Sequence, residues 1–134
     1  MSREDLRKEY RDSEGDSQVK GRLRQLRESR AHRRMLAAVA KATVVVTNPT
    51  HYAVALFYAP GQSAAPKLVA KGVDAMAARI RAAATEHGVP IVENPPLARA
   101  LWWLEPDTEI PAEHWAAVAE IIAYVWRIQG APRG

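Results

Sequence analysis

Two apolar runs four residues apart dominate the middle of the chain: Thr43-Val44-Val45-Val46-Thr47 and Tyr52-Ala53-Val54-Ala55-Leu56-Phe57-Tyr58. The first is β-branched and does not alternate, which is the pattern of a strand covered on both faces; the second reads as its neighbour. Ala59-Pro60-Gly61-Gln62-Ser63 predicts a turn or loop, and Lys67-Leu68-Val69-Ala70 predicts a third, short strand. From Val73, apolar residues recur at Met76, Ala77, Ile80 and Ala84 before Gly88 and Pro90, as in an amphipathic helix with a stop signal. Val89–Val92 predicts a fourth strand. Pro95 and Pro96 open a helix at Leu97, with Leu101 and Leu104 on one face. Pro111 opens the last helix, in which Trp115, Val118, Ala119, Ile122 and Val125 keep helical spacing to Arg127.

Strands alternating with helices favour a mostly parallel sheet under covering helices, whereas the short connection Asn48–His51 permits only antiparallel pairing of the first two strands. The expected fold is α/β: a small mixed four-stranded sheet, mostly parallel with one antiparallel strand, covered by about four helices including a basic N-terminal helical arm. At 134 residues and 48% hydrophobic, the chain can bury one core of ordinary size. No internal repeat or low-complexity tract interrupts it.

Charge divides this picture into parts. Residues 1–41 carry a net +5 and residues 42–134 a net −1. Lys20–Arg34 holds seven positive residues against Glu28, with Leu23 and Leu26 as a thin apolar stripe. The expected division is a basic linker arm at 1–41, a folded domain at 42–130 and a flexible tail at 131–134. Such an arm suits a solvated helix or a helix beside anionic lipid. A basic nucleic-acid-binding protein is a third reading, disfavoured because the arm lacks stacking aromatics and a folded recognition module. No apolar run approaches the roughly 18 residues that span a bilayer, and Met1–Arg11 has no signal-peptide core, so the chain by itself reads as soluble.

The candidate chemistry lies in the connection Asn48-Pro49-Thr50-His51. The nitrogen of Pro49 carries no hydrogen and cannot attack the Asn48 side chain, the usual course of asparagine ageing. The opposite attack remains open: the Asn48 amide nitrogen adds to the Asn48 backbone carbonyl, closes a succinimide and expels Pro49 as a new amino terminus. With nucleophile and electrophile in one residue, association entropy worth roughly 7–11 kcal/mol is already removed. His51 lies within loop distance as a base, histidine being the side chain that changes charge near neutrality. Thr50 is placed to hold the turn through its hydroxyl or backbone. As a bare string, Asn-Pro-Thr is also an ordinary structural turn.

Other chemistries lack support. His32, His51, His87 and His114 are dispersed without a His-Glu-x-x-His pair, and there are no cysteines, so neither a metal site nor a disulfide framework is expected. Gly61, Gly72 and Gly88 form no phosphate loop or dinucleotide fingerprint, and no cofactor is expected. No Gly-x-Ser-x-Gly elbow occurs. Glu105, Asp107 and Glu109 read as a solvated loop. The tryptophans Trp102, Trp103, Trp115 and Trp126 read as core, except that adjacent Trp102 and Trp103 cannot both face inward on a helix, which leaves one as a possible anchor for a partner.

Four ordered motifs change the balance: Ser13-Glu14-Gly15-Asp16, the Val44–Leu56 segment around Asn-Pro-Thr-His, Ala65-Pro66-Lys67-Leu68-Val69-Ala70-Lys71-Gly72, and Val92-Glu93-Asn94-Pro95-Pro96-Leu97-Ala98-Arg99-Ala100-Leu101. Together they resemble the cytoplasmic domain of the FlhB/YscU family, the export-switch proteins of type III secretion. Tyr52-Ala53-Val54-Ala55-Leu56 and the Ala117–Val125 stretch look more like its flagellar branch than its injectisome branch. The resemblance implies an autoprotease that cuts itself between Asn48 and Pro49 and takes part in switching export substrates, with Asn48, Pro49, Thr50 and His51 as its site. It also implies a place at the cytoplasmic face of the bacterial inner membrane. The implied partners are transmembrane helices ahead of this domain, other export-apparatus proteins, and exported substrates or their chaperones. The two cleavage fragments are expected to stay together. The competing reading is a non-catalytic binding module of the same apparatus, with the Asn-Pro turn purely structural.

Overall fold

The computed structural model describes residues 3–130, with side chains from residue 15 onward; the expected tail at 131–134 lies outside the described residues. Helix α1 (Arg3–Val39) leads into β1 (Val44–Asn48), β2 (Tyr52–Phe57), β3 (Lys67–Val73), α2 (Ala75–Glu86), β4 (Ile91–Glu93), α3 (Pro95–Leu101), β5 (Thr108–Glu109), a 3-10 turn (Ala112–His114) and α4 (Trp115–Gln129). Contacts divide the chain into two units, residues 1–34 and residues 35–134. In the first, Val19, Leu23 and Leu26 remain exposed, so the thin apolar stripe is not consumed by packing there. The second starts at Met35, ahead of the charge boundary, because Met35, Leu36 and Val39 at the end of α1 pack into its core.

The sheet has the order β4-β1-β2-β3-β5. The α/β class and mixed sheet agree with expectation, but the strand count and the balance of directions do not. There are five strands, and β1–β2, β2–β3 and β3–β5 are antiparallel; only β1–β4 is parallel. A parallel return needs a covering crossover, and α2 supplies one only between β3 and β4. The loop from Tyr58 to Pro66 carries no helix, so β3 returns antiparallel to β2. Strand β5 escaped prediction because Thr108–Glu109 is two exposed residues inside the acidic loop. It is held by backbone bonds from Asp107 N–H to Leu68 O (2.7 Å) and from Ile110 N–H to Pro66 O (2.8 Å), with Ile110 buried behind it.

Both faces of the sheet are covered, which explains the unbroken apolar run of β1. Val44, Val46, Val54, Leu56 and Leu68 meet α3 and α4 on one face. Val45, Ala53, Ala55 and Ala70 meet α2 and the end of α1 on the other. Leu68 and Ala70 would share a face in a regular strand. A register shift between Ala55 and Leu56 in the β2–β3 pairing separates them, and it also sets Lys71 opposite Val54, on the α3 side.

Beyond the bulge, β3 continues to Val73, past the Ala70 limit read from the sequence. Gly72 permits this by close approach. A Cβ there would lie 2.7 Å from Met76 Cγ, 2.8 Å from the Met76 carbonyl carbon and 2.9 Å from Ala77 N, and the last two are backbone atoms that cannot swing away. Gly72→Ala is therefore expected to destabilise the domain by about 1–3 kcal/mol. Urea denaturation should show a lower midpoint at unchanged slope; an unshifted midpoint would mean that α2 does not sit this close to β3.

Candidate functional site

Strand β1 ends at Asn48, which pairs with Tyr52 and leaves Pro49-Thr50-His51 as a three-residue hairpin loop. His51 N–H donates to Asn48 O at 3.0 Å, closing a four-residue turn. Among the described residues all peptide bonds are trans, and Thr50 has φ 69. Proline at the second position and positive φ at the third define a type II turn. That third position is normally glycine. Threonine, β-branched, is a poor occupant of this region, and holding it there costs on the order of 1–3 kcal/mol. Proline also fits for a negative reason: its missing N–H falls in a loop position that the ladder does not use.

The loop is anchored by its neighbours. Asn94 N–H donates to Thr47 O at 2.9 Å, tying the end of β4 to the residue before the turn. Asn94 also caps α3, its Oδ1 accepting from Leu97 N–H at 3.3 Å, with Pro95 and Pro96 following as expected at a helix start. From the β3–α2 junction, Asp74 N–H donates to His51 O at 3.0 Å. Asp74 itself has φ 48. The Asp74 carboxylate lies 3.7 Å from His51 Nδ1, with the two side chains 75% and 68% exposed. Two non-glycine residues with positive φ thus flank the same His51.

The register puts Asn48 on the sheet face of Val44, Val46 and Tyr52, the face covered by α3. Tyr52 packs against Trp102 with ring centroids 5.1 Å apart. Lys71 Nζ donates to Trp102 O at 3.0 Å and lies 5.0 Å from the centre of the indole. The tryptophan pair splits as adjacency requires: Trp102 is half-buried here and Trp103 is 81% exposed.

All four residues expected at the site, Asn48, Pro49, Thr50 and His51, thus lie in one strained loop. Asp74, Asn94, Lys71 and Trp102 were not foreseen around it. Asn94 had a local signal, an asparagine immediately before Pro-Pro. Asp74 carried no such signal, and only the fold brings it to His51. Among the described residues, no three His, Asp or Glu side chains come together as a metal site. No helix among them is long and apolar enough to cross a membrane.

Comparison with known proteins gives a consistent picture. Residues 1–125 match the model of the FlhB HrpN YscU SpaS family. The chain is 52% identical over 130 residues to the flagellar biosynthetic protein FlhB of Salmonella typhimurium, covering 96% of this chain and 34% of that protein. It is 49% identical over 128 residues to FlhB of Bacillus subtilis, covering 95% and 36% respectively. It therefore spans about a third of the length of these curated relatives. Among solved structures, the cytoplasmic domain of FlhB from Shewanella putrefaciens superposes with TM-score 0.70 at 46% identity, covering 73% of this chain and 76% of that one. An EscU C-terminal domain carrying an asparagine-to-aspartate mutation superposes with TM-score 0.65 at 32% identity, covering 68% and 98%. By the length of the family match, the level of identity and the shared fold, the chain belongs to the FlhB HrpN YscU SpaS family of export proteins, on its flagellar side.

Proposed function

We propose that the chain is a self-cleaving cytoplasmic segment of a flagellar type III export apparatus, cutting its own backbone between Asn48 and Pro49. The observation that carries this reading is the strained loop: a type II turn with threonine at the glycine position, closing on an Asn-Pro bond that can break through the asparagine side chain. In the reaction, Asn48 Nδ2 bonds to the Asn48 carbonyl carbon and gives up a proton, with His51 as its acceptor. The tetrahedral carbon then collapses, the bond to Pro49 N breaks, and that nitrogen takes a proton to become a free amino terminus. Water subsequently opens the succinimide left on Asn48. Cleavage frees Thr50 from its unfavourable conformation, so the strain favours the products.

The test is the mass of the purified chain under denaturing conditions after incubation at neutral pH. Fragments 1–48 and 49–134 are expected; a persistent full-length chain sinks the proposal and leaves a structural turn in a binding module.

The cut leaves β1 between β2 and β4, hydrogen-bonded on both sides. Val39, Val44, Val45 and Val46 of the first fragment are fully buried, each contributing roughly 1.5–3 kcal/mol. The fragments are expected to co-elute on size exclusion without denaturant and to part in urea. Separation in native buffer would show that β1 is not integrated into the sheet. With the fold retained, the change on cleavage is confined to the loop and the surface around it, and this remodelled surface is our proposal for how the domain takes part in switching between export substrates.

A further inference from the structure

We infer that Asp74 is a positioning residue for the chemistry at Asn48, acting through His51; the inference rests on the self-cleavage reading. Asp74 precedes the first turn of α2, where an aspartate ordinarily accepts a bond from a helix N–H. It makes no such bond. Its carboxylate turns to His51 Nδ1 at 3.7 Å, while its backbone N–H donates to His51 O at 3.0 Å. Side chain and main chain of one residue thus address the same histidine. To do so Asp74 holds φ 48 and ψ −108, a conformation sparsely populated by any residue but glycine. A helix cap and a relaxed backbone are both forgone at this position, and the approach to His51 is what the geometry gains.

The chemical consequence concerns which nitrogen carries the imidazole proton. A carboxylate facing Nδ1 favours the tautomer protonated there and leaves the Nε2 lone pair to accept a proton. It is the orienting role of the third member in a nucleophile, base and orienter set. A distance of 3.7 Å between two largely exposed groups is an ion-pair approach and not a hydrogen bond. The expected effect on the cleavage rate is therefore about two- to five-fold, the range of exposed pairs.

Two substitutions separate the carboxylate from the backbone. Asp74→Asn keeps the size and the N–H donor but removes the charge. Asp74→Gly keeps the donor, relaxes φ and removes the side chain. Both are expected to slow cleavage two- to five-fold when His51 is present, and neither to slow it further in a His51→Ala chain. Equal slowing in both backgrounds would assign Asp74 to the fold, and no slowing in either would remove its role; both outcomes overturn the inference. A second measurement does not depend on cleavage. In the intact Asn48→Ala chain, imidazole ¹⁵N spectra should show a larger share of Nδ1-protonated His51 than in the same chain carrying Asp74→Asn. If the unmutated chain never cuts, self-cleavage fails, yet this comparison still decides the pairing: identical spectra with and without the carboxylate overturn it.

Discussion

Asn48→Ala is expected to leave the chain whole after any incubation at neutral pH, while the unmutated protein passes to fragments 1–48 and 49–134. The loss should be complete, because the substitution removes the only atom that can attack the Asn48 carbonyl from within the residue. Turn strain, His51 and Asp74 all remain, and none of them can replace the missing amide nitrogen. Asn48→Asp should be severely impaired as well, since a carboxylate is a poor nucleophile for this ring closure. Intact-mass measurement separates the cases directly. Cleavage at the same bond in Asn48→Ala, giving an unchanged 49–134 and a 1–48 lighter only by the substitution, would mean that the bond is broken by water or by a contaminating protease, and the cyclisation route would be abandoned.

His51→Ala should slow cleavage by roughly 10²- to 10⁴-fold without abolishing it, the usual contribution of a positioned general base. The His51 side chain is 68% exposed, so its removal opens no cavity, and a lost rate reports chemistry rather than unfolding. Stopped aliquots analysed over time read the rate directly. An unchanged rate in a folded His51→Ala chain would leave turn geometry as the source of acceleration.

The parts legible in the sequence were those whose cause is local. Val44–Val46 is β-branched and buried on both faces, so β1 announces itself, and the chemistry proposed for Asn48-Pro49 needs only two adjacent residues. Pro95-Pro96 marks the start of α3 by its helix-opening chemistry alone. What could not be read depends on partners distant in sequence. Strand β5 exists because Leu68 and Pro66 offer carbonyls to an otherwise polar loop. The full length of β3 depends on Gly72 lying against α2 and on Lys71 reaching Trp102, contacts that no local pattern encodes. The strain at Thr50 and Asp74 is equally non-local: each residue is ordinary by type and unusual only in the backbone conformation that the surrounding elements impose.

The central position of β1 has a mechanical meaning once the bond after Asn48 is gone. β1 follows α1 after only a short connection and has neighbours on both sides. A pull applied along β1 from its amino-terminal end loads both ladders in shear, so that the hydrogen bonds to β2 and β4 resist together instead of opening one by one. A pull across the strand would peel it. The proposed cut would exchange a covalent tether for a joint whose strength depends on the direction of the force, firm along the strand and weak across it.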